Sequence, residues 1–218
     1  MPRRFELLVF DWDGTLMDSA GAIVYAIQES SRDLGLPVPG RERAAHVIGL
    51  GLKDALRYAV PELPEADYGK LVERYRHHYF SRDPEIELFH GVREMLERLK
   101  HSGHLLAVAT GKSRAGLDRV LEATQLAACF DASRCADETH SKPHPAMLQE
   151  LMQDLAVEAD ATLMIGDTTH DLLMAANAGV ASLAVSYGAH PREQLTAQGA
   201  LACLDRPQEL AAWLANHA

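Results

Sequence analysis

The sequence has no long hydrophobic run. A membrane-spanning helix requires about eighteen or more consecutive apolar residues, and none of the 218 residues belongs to such a segment. The apolar stretch nearest the N-terminus, Phe5–Phe10, is short and runs directly into Asp11. We therefore expect neither a signal peptide nor a membrane span.

Cysteine is also scarce. The three cysteines, Cys129, Cys135 and Cys203, are an odd number and form no C-x-x-C pair. A disulfide framework and a structural zinc site both need more cysteines at closer spacing. This usage predicts a protein of the reducing cytoplasm.

An excess of positive charge is missing as well. The formal net charge is −10, from 21 Lys and Arg against 31 Asp and Glu. General nucleic-acid binders and proteins that bind anionic membranes carry basic surfaces, so we expect neither partner. If the substrate is an anion, its site needs local positive charge from a metal ion or from a few lysines.

What the sequence does contain is an alternation of short apolar runs with amphipathic stretches. Near-continuous apolarity over four to six residues is typical of parallel strands covered on both faces. The predicted strands are Phe5–Phe10, Leu105–Ala109, Thr162–Gly166, Val180–Val185 and, more weakly, Ala200–Leu204. The predicted helices are Val92–Leu99, Leu117–Leu126, Pro145–Leu155 and Thr169–Ala178, the last ending before Gly179. This alternation predicts an α/β protein with a Rossmann-like, doubly wound parallel sheet.

One segment breaks the alternation. Residues 19–82 show helical periodicity and no strand pattern, with an apolar stripe along one helix that we expect to form a core: Tyr68, Leu71, Val72, Tyr75 and Tyr79. We therefore predict a helical cap domain over residues 17–85, inserted into a catalytic core formed by residues 1–16 and 86–218.

Polar residues follow the predicted strands where each strand ends. In open α/β sheets, ligands bind beyond the carboxyl ends of the strands. The residues that fall there, or that can reach this edge from a connection, are Asp11, Asp13, Thr110, Lys142, Asp167 and Asp171. Several carboxylates converging on one point repel each other unless a cation joins them. Mg²⁺ suits such an oxygen site, and Mg²⁺ with lysine and threonine would neutralise and hold a phosphate group.

Four short motifs resemble those of a known family. Asp11-Trp12-Asp13-Gly14-Thr15 matches the D-x-D-G-T signature of the haloacid dehalogenase superfamily, and three further motifs follow in the family's order: Thr110-Gly111, Lys142-Pro143 and Gly166-Asp167-Thr168-Thr169-His170-Asp171. The resemblance covers essentially the whole chain. The helical insertion is similar to the cap of the phosphoglycolate phosphatase-like branch. The segment Ile48–Leu56 resembles the substrate-facing loop of that branch.

The resemblance implies roles for the residues that carry the chemistry. Asp11 would be the nucleophile that forms an aspartyl-phosphate, and Asp13 the acid and then the base. Thr110, Gly111 and Lys142 would hold the phosphoryl group. An acid at position 13 favours phosphate esters over the dehalogenase and phosphonatase reactions of the superfamily.

The resemblance also implies a metal site. Mg²⁺ would be bound by Asp11, by the backbone carbonyl of Asp13 and by Asp167. Asp171 would bind the metal through water or orient Lys142. A structural alternative for Asp171 is helix capping, which favours Asp at a helix start.

Other residues carry weaker predictions. Lys53 and Arg57, one helical turn apart, are candidates to bind the far end of the substrate, with a solvated helix face as the alternative. The eleven histidines show no coherent metal-coordinating set, and we expect His170 to be exposed and His190 to be at most a residue of the site's rim.

The function predicted from these observations is Mg²⁺-dependent hydrolysis of a small phosphorylated metabolite, phosphoglycolate or a similar monoester. A sugar phosphomutase, a pyrophosphatase or nucleotidase of the same fold, and a non-catalytic binding module remain alternatives. Either a monomer or a homodimer is compatible with the sequence.

Overall fold

A computed structural model describes residues 4–82 and 86–218, and six parallel strands form its single described sheet. The strands are β1 (Leu7–Phe10), β2 (Leu105–Thr110), β3 (Ala132–Cys135), β4 (Thr162–Gly166), β5 (Ala181–Val185) and β6 (Cys203–Leu204). Their order across the sheet is β3-β2-β1-β4-β5-β6, so β1 lies between β2 and β4. This is the doubly wound arrangement that the sequence predicts, and the predicted fold class is confirmed.

Ten α-helices accompany the sheet within the described ranges. They are α1 (Ala20–Asp33), α2 (Arg41–His46), α3 (Leu52–Ala59), α4 (Tyr68–Arg82), α5 (Val92–His101), α6 (Arg114–Thr124), α7 (Ala146–Leu155), α8 (Thr169–Ala178), α9 (Arg192–Thr196) and α10 (Pro207–His217). The four helices predicted after residue 86 correspond to α5, α6, α7 and α8, with ends shifted by a few residues in α5, α6 and α7. Helix α8 has the predicted bounds.

The first strand shows why the sheet is covered on both faces. Leu8 and Phe10 belong to a hydrophobic cluster with residues of α5, α6 and α10, whereas Leu7 and Val9 belong to another with residues of α7 and α8. Successive side chains of a strand point to opposite faces, so all four must be apolar. All four are fully buried.

Four of the five predicted strands need corrected bounds, and one strand was missed. β2 ends at Thr110 rather than at Ala109, and β5 begins at Ala181 rather than at Val180. β1 begins at Leu7 rather than at Phe5, and the weak last strand shrinks from Ala200–Leu204 to Cys203–Leu204. Strand β3 was not predicted at all. It lies at the edge of the sheet, where Ala132, Ser133 and Arg134 are only half-buried, and such a strand lacks the apolar run that marks an interior one.

Helices α1 to α4 lie between the first and second strands of the chain, and residues 19–82 contain no strand, as predicted. These helices bury a hydrophobic cluster of their own, which includes Ile27, Leu56 and Leu71. The chain enters and leaves this helical layer through two paired segments: Asp18 donates to the carbonyl of Glu87 at 2.9 Å, and Phe89 to that of Leu16 at 3.0 Å. The division at residues 17–85 stays a prediction, since residues 83–85 lie outside the described ranges.

Within the described ranges, none of the helices combines the length and the apolar composition that crossing a membrane demands.

Candidate active site

Three neighbouring strands bring the predicted site residues to one edge of the sheet. Phe10 of β1 is in register with Val108 of β2 and with Ile165 of β4. Asp11 follows β1 directly, and Thr110 and Asp167 lie at the corresponding ends of β2 and β4. The parallel register therefore places all three side chains on the rim where ligands bind in open α/β sheets.

Lys142 joins two carboxylates at this rim. Its Nζ atom lies 2.5 Å from Oδ1 of Asp11 and 2.6 Å from Oδ1 of Asp171, although Lys142 and Asp11 are 131 positions apart in the sequence. All three residues are at most 2% exposed. Burial opposes the charge of Lys142, but the two carboxylates outweigh it and raise the pKa of the ammonium.

Asp171 has two structural roles at once. It forms a capping box with Thr168 at the start of α8: its Oδ2 atom accepts from the Thr168 amide at 3.1 Å, and the Thr168 hydroxyl accepts from the Asp171 amide at 3.3 Å. The other carboxylate oxygen faces Lys142. Helix capping, the structural alternative for this residue, is thus real, and it also fixes the carboxylate that orients Lys142.

Asp167 is held by two donors. Its Oδ1 atom accepts from the Thr15 hydroxyl at 2.9 Å, and its Oδ2 atom accepts from the Ala189 amide at 2.7 Å. Gly14, with φ of +84°, passes so close that an added Cβ would lie 2.2 Å from Oδ2 of Asp167. The glycine of the first motif is therefore required both by its left-handed backbone and by the position of this carboxylate.

Asp11, Asp167 and Asp171 form a cluster that could hold a metal ion, because one carboxylate oxygen from each lies within 4.8 Å of the others. Burial, more than the neighbouring carboxylates, raises the pKa of Asp11 to about 7 and that of Asp167 well above its usual range. The buried Oδ2 atom of Asp11 has no hydrogen-bond partner among the described residues. A bound cation would remove both the repulsion and the unsatisfied oxygen, so the residues present fit a divalent metal.

Asp13 belongs to a separate network that the sequence did not reveal. Its Oδ1 atom accepts from the Ser19 hydroxyl at 2.6 Å and lies 3.0 Å from Nζ of Lys112. Lys112 also donates to the hydroxyl of Tyr79 on α4 at 3.1 Å. Burial disfavours the charge of Lys112, but Asp13 and Tyr79 outweigh this and raise its pKa. One half-buried ammonium therefore connects the core to the helical layer.

The helical layer and the core enclose a cavity of about 580 Å³ beside these residues. Asp13, Lys112 and Tyr79 line it, as do the predicted substrate-binding residues Lys53 and Arg57 on α3. Both of these are exposed, and the Arg57 guanidinium is paired with Glu65 and lies 3.8 Å from Asp54. The cavity is thus lined by a half-buried lysine, Lys112, that was not predicted and by two exposed cations that were.

The Ile48–Leu56 segment lies against the core at Gly111. An added Cβ on Gly111 would lie 2.6 Å from the carbonyl oxygen of Gly49 and 2.5 Å from that of Leu50. Only glycine allows this approach. Thr110 is fully buried, and its hydroxyl accepts from the Lys112 amide at 3.2 Å. The second motif therefore packs directly beneath the segment predicted to face the substrate.

The prediction for the histidines was wrong in part. His170 is 8% exposed and therefore buried, and His190 is 2% exposed. Together with His46 they form a cluster whose ring nitrogens approach within 4.8 Å of one another. No sequence pattern indicates this cluster, because the three residues come from α2, from α8 and from the segment after β5.

The fold and the site together define an α/β protein that gathers buried carboxylates and a buried lysine at the carboxyl edge of its sheet. Comparison with known proteins identifies the family to which this protein belongs. A model of the haloacid dehalogenase-like hydrolase family matches residues 8–185. The chain belongs to the haloacid dehalogenase-like hydrolase family, as its motifs predict.

Curated relatives are similar over most of their length. The "Probable phosphatase IndB" of Dickeya dadantii (strain 3937) is 41% identical over 197 residues, with 88% of this chain and 85% of that protein covered. A phosphoglycolate phosphatase of Agrobacterium fabrum is 32% identical, with 84% and 81% covered. The pyrophosphatase PpaX of Halalkalibacterium halodurans is 31% identical, with 84% and 85% covered.

A solved structure of a related protein is also similar to this chain over its full length. The crystal structure of a predicted phosphoglycolate phosphatase from Haemophilus somnus 129PT superposes with a TM-score of 0.87 at 25% identity, covering 99% of both chains. The enzyme class predicted from the sequence, a phosphatase, is confirmed by these names and by the family.

Proposed function

We propose that this phosphatase hydrolyses a small phosphate monoester, with Mg²⁺ as its cofactor and an aspartyl-phosphate on Asp11 as its intermediate. The observation that carries the proposal is the buried Asp11–Lys142–Asp171 arrangement, in which one ammonium lies within 2.6 Å of both carboxylates. A fixed positive charge beside a buried carboxylate suits in-line attack on an anionic phosphorus centre, where positioning and charge neutralisation supply most of the catalysis.

In the first step, a carboxylate oxygen of Asp11 attacks phosphorus, and the bond between phosphorus and the ester oxygen breaks. The acid form of Asp13 gives its proton to the departing oxygen, so the alcohol leaves neutral. Thr110 and the backbone around Gly111 supply donors for the phosphoryl oxygens, and Lys142 offsets their negative charge.

In the second step, the carboxylate of Asp13 takes a proton from water as the water oxygen attacks phosphorus. The bond between phosphorus and Asp11 breaks, which releases inorganic phosphate and restores the Asp11 carboxylate. The contacts of Asp13 with Ser19 and Lys112 hold one of its oxygens in place for both proton transfers.

Asp11, Asp167 and the backbone carbonyl of Asp13 would bind the Mg²⁺ ion, and Asp171 would act through Lys142. When bound, the ion supplies positive charge that screens the phosphate and lowers the repulsion among the buried carboxylates. The unpartnered Oδ2 atom of Asp11 supports this assignment.

The helical layer over residues 17–85 would act as a cap. Its closure over the cavity would exclude bulk water during attack by Asp11, and its opening would exchange substrate and product. The paired segments at Leu16–Asp18 and Glu87–Phe89 are its two connections to the core.

The test is release of inorganic phosphate from p-nitrophenyl phosphate and from a panel of small phosphate monoesters. We expect turnover with Mg²⁺, loss of turnover in EDTA and recovery on adding Mg²⁺ again. Absence of turnover on every monoester, with Mg²⁺ present and the protein folded, would contradict the proposal.

The PpaX relative supports a second candidate, hydrolysis of pyrophosphate. The same assay with pyrophosphate as substrate separates the two. A phosphomutase would instead isomerise a sugar phosphate without net release of phosphate.

A further inference from the structure

Two core histidines donate to the same backbone carbonyl of the helical layer. The Nε2 atoms of His170 and His190 lie 2.7 Å and 3.1 Å from the carbonyl oxygen of His46, the last residue of α2. His170 is 124 positions and His190 is 144 positions away from His46 in the sequence. The carbonyl oxygen has two lone pairs and accepts from both rings.

The hydrogen-bond pattern places a proton on the Nε2 atom of both rings. A carbonyl oxygen can only accept, so each Nε2 atom must carry a proton. His190 agrees independently, because its Nδ1 atom accepts from the amide of Thr169 at 3.0 Å and therefore has no proton of its own. His190 is therefore a neutral Nε2–H donor, and His170 donates through Nε2 as well.

The surroundings keep the rings neutral and in place. Burial lowers the pKa of His170 and lowers that of His190 to about 4. The His46 ring stacks on the His190 ring with centroids 5.1 Å apart and meets the His170 ring edge-on at 5.2 Å.

The carbonyl of His46 marks the beginning of the segment that covers the phosphoryl site. Three residues further on, Gly49 approaches Thr168 and Gly111, so its position affects both the second and the fourth motif. Gly51 then donates its amide to the Ser141 hydroxyl at 2.8 Å, beside Lys142. The segment Val47–Gly51, here called the covering loop, is thus fixed to the core at both ends.

We propose that His170 and His190 are positioning residues that hold the covering loop over the phosphoryl site by donating together to the carbonyl of His46. The inference rests on the proposed function for its catalytic consequence, but the hydrogen bonds can be tested without any substrate. Loss of both donors leaves a carbonyl without these two partners, and the covering loop then separates from the core more often.

A transition-metal site is the alternative that three clustered histidines suggest. The tautomers argue against it. A metal at Nε2 of His190 would need the Nε2 proton to leave and Nδ1 to be protonated, whereas Nδ1 already accepts from Thr169. A metal site would also depend on the ring nitrogens of His46, whereas the proposed role uses only its backbone carbonyl.

The experiment compares variants that remove or keep the donor. His170→Leu and His190→Leu each remove one donor, and the double variant removes both. His170→Gln and His190→Gln keep an amide donor at a similar reach. His46→Phe keeps the carbonyl and an aromatic ring but removes both ring nitrogens, and is the matched control for a metal site.

Two measurements are made on the purified full chain. The first is amide hydrogen exchange of the peptide that covers residues 46–52, without substrate, with a peptide from α10 as internal reference. The second is kcat/KM for p-nitrophenyl phosphate. Thermal melting of each variant checks that it is folded.

We expect each single leucine variant to speed amide exchange about threefold and to lower kcat/KM about threefold. The double variant should change each quantity about thirtyfold or more. A single variant leaves the carbonyl one histidine donor, whereas the double variant leaves it none. The effect of the double variant should therefore exceed the combined effects of the two single variants. The glutamine variants should restore most of both signals, and His46→Phe should match the unchanged protein within about twofold.

Three results would overturn the proposal. One is unchanged exchange at residues 46–52 in a folded double leucine variant. Another is failure of folded glutamine variants to restore exchange. The third is inhibition by added Zn²⁺ that His46→Phe abolishes, which would assign the cluster to a metal. An enzyme without activity on any monoester would defeat the proposed function alone, because the exchange measurement would still test the covering loop.

Discussion

The two sides of the cavity differ in how they hold charge. On the core side, Asp11, Lys142, Asp167 and Asp171 are at most 2% exposed and are fixed by one another and by backbone donors. On the helical side, the Arg57 side chain is 48% exposed and pairs with surface acids. Buried charges cannot be left without partners, whereas surface pairs contribute little.

Because of this difference, we expect the core side to carry out the chemistry and the helical side to select the substrate. On the core side the buried charges depend on one another, because a change at one of them leaves another buried charge uncompensated. The helical side can exchange one surface residue for another with little penalty in folding. We therefore expect variants of the core to lose rate by orders of magnitude and variants of α3 to shift affinity modestly.

The largest expected effect is at the nucleophile. Asp11→Asn should lower kcat for p-nitrophenyl phosphate by about 10⁴-fold or more, because an amide oxygen cannot form the aspartyl-phosphate. Phosphate release measures the rate, and circular dichroism checks the fold. Asp118→Asn, at an exposed carboxylate of α6, is the matched control and should keep normal turnover. A normal kcat in Asp11→Asn would refute the nucleophile assignment.

The next effect is at the buried lysine. Lys142→Met should lower kcat/KM by about 10³-fold and reduce the free energy of unfolding by about 3 kcal/mol, because two buried carboxylates lose their cation. Chemical denaturation gives the second quantity. The same substitution at Lys70, whose pair with Asp67 is exposed, should change stability by less than about 0.5 kcal/mol. Equal effects at the two lysines would remove the contrast between buried and surface charge.

A third effect follows from the raised pKa of Asp11. In metal-free buffer the folded protein keeps a proton on Asp11 up to about pH 7, whereas the unfolded chain releases it near pH 4. This contribution to stability is therefore full below about pH 4 and is lost as the pH rises to 7, at up to about 1.4 kcal/mol per pH unit.

Asp11→Asn lacks this titration, so urea denaturation in EDTA should show the variant gaining stability relative to the unchanged protein from pH 5 to pH 7. Above pH 7 the difference should be constant. A difference that does not change with pH would mean that Asp11 is ionised throughout this range.

The smallest expected effect is on the helical side. Lys53→Ala and Arg57→Ala should each raise KM for the best substrate of the panel by about threefold and leave kcat nearly unchanged, because an exposed cation adds a weak, screened attraction. Lys70→Ala, outside the cavity, is the control. A loss of a hundredfold in kcat for either variant would place α3 in the chemistry and end the division described above.

Sequence patterns predicted which carboxylates lie together on the core side because these residues come at fixed positions relative to strands. Asp11 and Asp167 follow apolar runs directly, and parallel register then brings them together. Lys142 was a candidate because it lies in a connection that can reach this edge, but its assignment depended on its motif, since a loop sequence does not show where a lysine side chain will lie. The same limit explains why Lys112 was missed: its partners Asp13 and Tyr79 come from distant parts of the chain.

Each unpredicted feature has its own physical cause. Strand β3 lies at the edge of the sheet and needs few apolar side chains, so its sequence resembles a loop. His46 takes part through its backbone carbonyl, which any residue possesses, and no residue pattern can reveal that. His170 is buried beside His46, which is 124 positions away in the sequence, so its burial depends on the tertiary structure and not on local sequence.

The link from Asp13 through Lys112 to Tyr79 restricts how this enzyme can acquire new substrates. Tyr79 lines the cavity and also accepts from Lys112, the lysine that contacts the proposed proton donor Asp13. Replacing it to admit a bulkier molecule would disturb proton transfer at the same time. Evolutionary or engineered changes of substrate should therefore accumulate on α3 and spare this tyrosine of α4, although both line the same cavity.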